Sequence, residues 1–196
     1  MSKAVMLSIR PKWCEKIVRG EKTIEVRKTR PKLDTPFKCY IYCTLPKYPH
    51  EDFIAMDYPR PQFYGGGKVI GEFTCDRIFE LETKARGGSY YVKNEGQPTT
   101  NFIARQSCLD FKDMHGYLHA AKGYGWHITD SRIYDVPREL GEFWRDCSEY
   151  SELSTNCWTC ENVCGDGDET DCNTDGRIYL RRAPQSWCYV EAIEDV

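Results

Sequence analysis

The feature that most constrains this chain is a strand–helix–strand unit packed into its first 28 residues. Val5, Leu7 and Ile9 alternate with Met6, Ser8 and Arg10, which is the two-residue period of a strand. Pro11 suits the first turn of a helix. Trp13, Cys14, Ile17 and Val18 then recur at helical spacing, up to Gly20 in a C-cap position, so residues 11–19 read as a short amphipathic helix. The next run, GEKTIEVRK (20–28), has five charged residues among nine, yet Ile24 and Val26 alternate as a buried strand does. On a strand over 22–28, Thr23, Glu25 and Arg27 share one face and Ile24 and Val26 the other. The expectation is that Ile24 and Val26 enter the core, while Thr23, Glu25 and Arg27 project into a cleft against the helix. Lys22, at the mouth of the strand, is free to swing to either side.

The rest of the chain is mostly strand. KCYIYCTL (38–45) is rich in aromatic and β-branched residues. Residues 46–66, with four prolines and running into the glycine triplet 65–67, read as a long surface loop. Residues 68–81 form a strand bulged at Gly71, and 83–101 a flexible connection. Residues 108–121 predict a helix, 124–135 a strand, and Pro137 opens a short helix through Trp144. Residues 186–193 form a closing strand. About six strands with two or three short helices, and few crossover helices between strands, point to an α+β fold with a small curled sheet or barrel. The 196 residues suit one domain with a sizeable insertion.

No stretch approaches the ~20 apolar residues needed to span a bilayer, and the N-terminus has no signal-peptide pattern, so no membrane association is expected. Eleven cysteines without a secretory signal point to a reducing, cytoplasmic compartment, where clustered cysteines more often bind metal than form disulfides. Cys14, Cys39, Cys43, Cys75 and Cys108 lie in apolar or mixed runs and read as small core residues. The net charge of −3 hides an asymmetry. Residues 1–32 hold ten Lys/Arg against three Asp/Glu, and residues 139–175 hold eleven Asp/Glu against one Arg. The basic block is the place for an anionic ligand, or is a solvated face; the overall acidity argues against a protein that coats DNA non-specifically.

The acidic segment, 147–182, contains Cys157, Cys160, Cys164 and Cys172, four close thiolates that suit tetrahedral zinc, although their spacing is not the usual pair of pairs. Residues 147–177 have almost no large aliphatics beyond Leu153 and Val163. Ordering about thirty residues costs on the order of 1 kcal/mol each, whereas a structural zinc supplies ~10–16 kcal/mol in small peptides. A zinc knuckle is therefore one reading. A disordered acidic loop, or thiols that never meet, are the others, and a three-cysteine iron–sulfur site is a more distant one. Cys147 and Cys188 are reserve ligands. Asp171, Asn173, Asp175 and Gly176 match the opening of a calcium loop, but Arg182 stands where a bidentate glutamate belongs, so this stretch reads as a turn entering a strand.

The order strand, Pro-started helix, Gly20-x-Lys22, then Glu25-x-Arg27 in a strand resembles the signature of the ASCH domain, a branch of the PUA-like superfamily. LSIRPKWCEKIVRGEKTIEVRK is similar to the start of bacterial and phage members. KVIGEFTCDRIFEL, YGWHITDSRIYDVPRELGEF and PQSWCYVEAI resemble their later strands. The resemblance covers most of the chain, apart from the 46–66 loop and the Cys-rich insertion. It implies a single PUA-like domain over 1–196, a small mixed β-barrel with flanking short helices. It also implies an RNA-associated role, with a cleft beside the first helix as the ligand site. One branch of the superfamily removes an acetyl group from acetylcytidine, using a lysine, a threonine and a later glutamate. Lys22 matches the lysine, but Glu25 holds the threonine position, and Glu72 is the candidate for the glutamate. A carboxylate cannot replace a hydroxyl without changing the chemistry, which speaks against that activity. Other members are described as ribonucleases.

Chemically, a lysine and an arginine flanking a carboxylate offer donors for phosphate and one acceptor for a base edge or hydroxyl. The expected ligand is RNA or a nucleotide-like molecule held by Arg10, Lys12, Trp13, Lys22, Glu25 and Arg27. Lys22 and Arg27 would hold phosphate, Glu25 would accept from a base, and Trp13 would stack or shape the cleft. Tyr64, Trp126 and Trp187 are further stacking candidates. His127 reads as a structural histidine. In the bland reading, Glu25 and Arg27 simply pair with each other. If the protein is an enzyme acting on RNA or a modified nucleoside, Lys22 and Glu25 are its catalytic candidates. A protein-interaction module whose acidic insert binds a basic partner is a third reading. The residues leave the oligomeric state open.

Overall fold

β1 (Lys3–Ile9) is buried on both faces, because apolar side chains point each way from it. Val5, Leu7 and Ile9 join one core cluster while Ala4 and Met6 join another. The structure, a computed structural model, describes residues 2–48, 50, 54–55, 63–83, 90–93, 100–119, 121–147 and 176–193. After β1 come α1 (Pro11–Val18), β2 (Ile24–Arg27), β3 (Phe37–Cys43), the short strands β4 (Ile54–Ala55) and β5 (Phe63–Tyr64), β6 (Lys68–Cys75), β7 (Ile78–Thr83) and β8 (Tyr90–Val92). Then follow α2 (Thr100–Ser107), α3 (Phe111–Leu118), β9 (Gly123–His127), β10 (Thr129–Arg138), a 3-10 turn (Leu140–Glu142), β11 (Trp144–Asp146), β12 (Arg177–Tyr179) and β13 (Trp187–Glu191).

The result is a mixed α+β fold. A five-stranded sheet runs β10-β6-β3-β1-β13 and a four-stranded sheet runs β2-β9-β7-β8. β1 pairs in parallel with β3 and antiparallel with β13. Among the described residues the ladders do not close into the expected barrel. The chain instead changes sheet at two corners, Asp76–Arg77 and Ile128. These corners divide what periodicity reads as the single strands 68–81 and 124–135, because a corner preserves apolar alternation on both sides of it.

Three apolar clusters result. The main one lies between the sheets and under α1, with Leu7, Ile9, Cys14, Ile17, Ile41, Phe73 and Trp126. A second lies between the four-stranded sheet and α2/α3 and includes Ile24, Val26, Leu81, Met114 and Leu118. A third covers the outer face of the five-stranded sheet, around Met6, Tyr40 and Phe143. Cys14, Cys39, Cys43 and Cys75 are buried as expected, and burial raises the thiol pKa of Cys14 and Cys39 well above the usual range.

The Gly71 bulge is present. Ile41 pairs Gly71 and Tyr42 pairs Val69, which leaves Ile70 as the extra residue. A Cβ on Gly71 would lie 2.4 Å from the Arg132 carbonyl oxygen, so the close approach of β10 requires glycine. Pro137 does not open a helix. It belongs to the edge strand β10, between the paired residues Ile133 and Arg138 where the register shifts, a place that needs no N–H donor. The segment 83–101, expected as a flexible connection, contains β8 and the start of α2. The 46–66 loop contains the β4–β5 pair, and β12 lies within the span assigned to the insertion, pairing with β11. No helix among the described residues is long and apolar enough to cross a membrane.

Candidate functional site

α1 fixes one wall of the site. Arg10 is its extended N-cap and Pro11 fills the first turn, while Pro11, Cys14 and Ile17 are buried at three-residue spacing. Gly20 has φ +69°, open to glycine at no steric cost, and the N–H groups of Glu21 and Lys22 both return to the Lys16 carbonyl. This turn delivers Lys22 to the start of β2. β2 in turn pairs with β9, with Glu25 opposite Trp126.

The faces of β2 are sorted as the two-residue period expects, except for Thr23. Ile24 and Val26 enter the second core, under α2 and α3, not the main one. The charged face turns toward α1 and β1, so both faces of β2 are buried. Lys22 is 2% exposed, Glu25 7% and Arg27 6%. Thr23 does not join them. Its hydroxyl and its N–H are both taken by Gln106 of α2.

Unpaired charges cannot be left at such burial without a large desolvation cost, and here each is paired. Glu25 Oε2 lies 3.1 Å from the Lys22 ammonium and Oε1 lies 3.0 Å from the Arg27 guanidinium. Lys22 Nζ also donates to the carbonyls of Ile24 at 2.9 Å and Ser107 at 2.8 Å, so its three donors have three acceptors. Arg27 donates to the Ser8 carbonyl at 2.8 Å, and at 3.3 Å to both the Ser186 carbonyl and its hydroxyl. A side chain thus ties β2 to β1 and to the entry of β13, where a closed barrel would have used a ladder. Arg27 Nε is buried without a partner. The triad carries two cations and one anion, a surplus of one positive charge.

Above the triad opens a cleft of about 410 Å³. All six expected binding residues line it: Arg10, Lys12, Trp13, Lys22, Glu25 and Arg27. Arg10 and Lys12 are exposed at its lip. Trp13 is half-buried, with the Lys12 ammonium 4.3 Å and the Lys22 ammonium 5.3 Å from its ring centroid. Sequence reasoning missed the opposite wall, where Asp113 and Tyr117 of α3 stand one helical turn apart, with Gln185 and Ser186 beside them. Burial raises the Tyr117 phenol; the Glu25 carboxylate adds to this and the Arg27 guanidinium opposes it. The four-residue spacing within FKDMHGYL was the available signal for α3; nothing in PQSW marks the other pair.

The remaining candidates lie elsewhere. Trp126 is fully buried, edge-on to Phe37 at 5.8 Å, and Trp187 donates its indole N–H to Thr29. His127 pairs with Asp76 at 2.7 Å, outside the cleft. Glu72 occupies the other face of the five-stranded sheet, bound by Tyr134 and Lys38. The side chain of Tyr64 and the cysteines 157, 160, 164 and 172 lie outside the described residues. Of the reserve ligands, burial pushes the Cys188 thiol up to about 11, and the Cys147 N–H bonds the Gly176 carbonyl. No group of three metal-ligating side chains occurs among the described residues.

Comparison with known proteins bears on this site. No curated protein matches the chain. Among solved structures, the ASCH protein of Zymomonas mobilis aligns with TM-score 0.47 and 18% identity over 70% of this chain and 73% of that one. A mutant of that protein aligns with TM-score 0.45 and 18% identity, over 71% of this chain and 77% of that one. The ASCH domain family matches residues 7–41, which comprise part of β1, all of α1 and β2, and most of β3. The ASCH-domain similarity thus lies on the segment that builds the triad and one wall of its cleft.

Proposed function

We propose that the cleft binds a nucleotide unit of RNA. The observation that carries this reading is the buried triad, a rigid floor with surplus positive charge and one unpartnered donor, Arg27 Nε, beneath an open cleft. Arg10 and Lys12 at the lip are placed for phosphate, and the Trp13 face for a base. The donors of Lys22 are taken up by the fold, so Lys22 acts by holding Glu25 and Arg27 in place. In a site of low local dielectric, a preorganised carboxylate–guanidinium pair is a stronger recognition element than the same pair in water.

The test is equilibrium binding of the four nucleoside monophosphates and of short labelled RNAs. Trp13→Ala is expected to weaken binding roughly 5- to 150-fold, the loss of one stacked base. Arg10→Ala with Lys12→Ala is expected to weaken it for every sequence and to reduce its salt dependence. The reading fails if that double variant binds each of these RNAs as tightly as the parent does.

Turnover of RNA or of a modified nucleoside is the second reading, favoured by Asp113 and Tyr117 across the cleft from Glu25. A carboxylate and a phenol facing Glu25 are groups able to give and take protons. It requires product formation that Glu25→Gln abolishes while binding survives. Zinc at Cys157, Cys160, Cys164 and Cys172 is a separate proposal, checked by elemental analysis of the purified protein.

A further inference from the structure

A second hollow, of about 620 Å³, adjoins the cleft on the far side of the α1 N-terminus. The two share Arg10, Lys12 and Thr44, so they meet over one lip. The second is lined further by Glu15, Lys47 and His50. Among the described residues its one carboxylate, Glu15, is paired with Arg19 at 2.5 Å, which leaves Arg10, Lys12 and Lys47 as the cations of that lining. Beside it the Tyr48 and His50 rings stack in parallel, with centroids 5.7 Å apart and planes 7° apart. The Lys47 ammonium lies 5.1 Å from the Tyr48 ring centroid, and Tyr48 is 47% exposed. The segment is anchored at its start, where the Thr44 N–H bonds the Ile9 carbonyl at 2.9 Å.

An exposed, parallel aromatic stack gains little from burial and presents a flat face to solvent. Cations that track a groove, interleaved with flat aromatic faces, suit single-stranded nucleic acid: the phosphates follow the charges and the bases follow the rings. We infer that the hollow bounded by Arg10, Lys12, Lys47 and the Tyr48–His50 stack is a second subsite, and that the ligand is single-stranded RNA of two or more nucleotides. One nucleotide sits in the cleft against Trp13, the phosphate that follows crosses the Arg10/Lys12 lip, and the next base lies on the Tyr48–His50 stack. This inference rests on the proposed function and extends it from a nucleotide to a strand.

The test is a ladder of oligouridylates of one, two, four and eight nucleotides, titrated against the full chain and against Lys47→Ala with Tyr48→Ala. In the parent protein, affinity is expected to climb roughly 5- to 150-fold from one to four nucleotides, one more stacked base, and then to level off. In the double variant the climb should flatten. The slope of log affinity against log salt for the tetranucleotide should fall by about 0.7, because the Lys47 ammonium no longer neutralises a phosphate. Tyr48→Ala alone, which keeps the Lys47 ammonium, should retain the parent's salt slope while losing the stacking gain, and this separates the two roles from a general disturbance of the segment. A mononucleotide that binds as tightly as the tetranucleotide, or a double variant that keeps the full climb, overturns the subsite while leaving the cleft intact. If no member of the ladder binds, the mononucleotide included, the reading of the cleft itself has failed and the subsite with it.

Discussion

Two buried carboxylates, Glu25 and Glu72, each sit on a strand with a lysine and a tyrosine near, and their surroundings differ in what they leave over. Glu72 accepts from the Tyr134 hydroxyl at 2.7 Å and pairs with Lys38 at 3.3 Å, a lysine whose side chain is one-third exposed. One anion and one cation close that cluster. Glu25 is paired with two cations, both buried, and a cleft opens over them. The Glu72 cluster is what a strand carboxylate needs in order to be buried at all. The Glu25 cluster has one positive charge and one donor beyond that need, and this excess is what makes it a candidate for binding. A charge cluster in a core is therefore no evidence of function until its partners have been counted.

The largest expected effect is that of removing Glu25. Glu25→Ala leaves the Lys22 and Arg27 charges facing each other in a buried site and should cost about 3–5 kcal/mol, read as a fall in the urea midpoint. Next is the strand that carries Glu72. Gly71→Ala drives a methyl against the Arg132 backbone carbonyl and should cost about 1–3 kcal/mol by the same measurement. Glu72→Ala should cost less, about 1–2 kcal/mol, because Lys38 reaches water and only the Tyr134 hydroxyl is stranded. If Glu72→Ala proves as costly as Glu25→Ala, the contrast between the two clusters is wrong.

The smallest effect concerns pH. Burial, and then the hydrogen bond to Glu72, hold the Tyr134 phenol above the ordinary tyrosine range. A raised pKa in the folded state contributes stability that is fully present below the unfolded value of about 10 and is lost as pH rises through the folded value. The urea midpoint should thus decline above about pH 10, and decline less in Tyr134→Phe. Tyr117 is shifted in the same direction, but Arg27 opposes its shift, so Tyr117→Phe should change the alkaline slope less than Tyr134→Phe does.

Much of the N-terminal unit was legible. Proline at a first turn, glycine after a last one, and residues alternating on a strand report backbone constraints that act within a few residues, and α1, β2 and the residues of the cleft follow from them. The corners at Asp76–Arg77 and Ile128 were not legible, because alternation continues through a corner and only the partner strand reveals the change of sheet. Nor was the α3 wall. Asp113 and Tyr117 are more than 80 residues from Arg27, and no local pattern links them. Pro137 misled because the same fixed φ serves a first helical turn and an edge strand equally well.

The sequence by itself determined which side chains share the face of β2 that carries Glu25 and Arg27, because a two-residue period is a property of the extended backbone alone. Only the tertiary structure decided what that face looks toward. Ile24 and Val26 met the apolar side of α2 and α3, so the charges were turned toward α1 and β1, into a space where each had to find a partner. The donor left over on Arg27 and the cleft above it arise from that packing, since desolvation acts on whatever surrounds a charge in space and not on its neighbours in the chain.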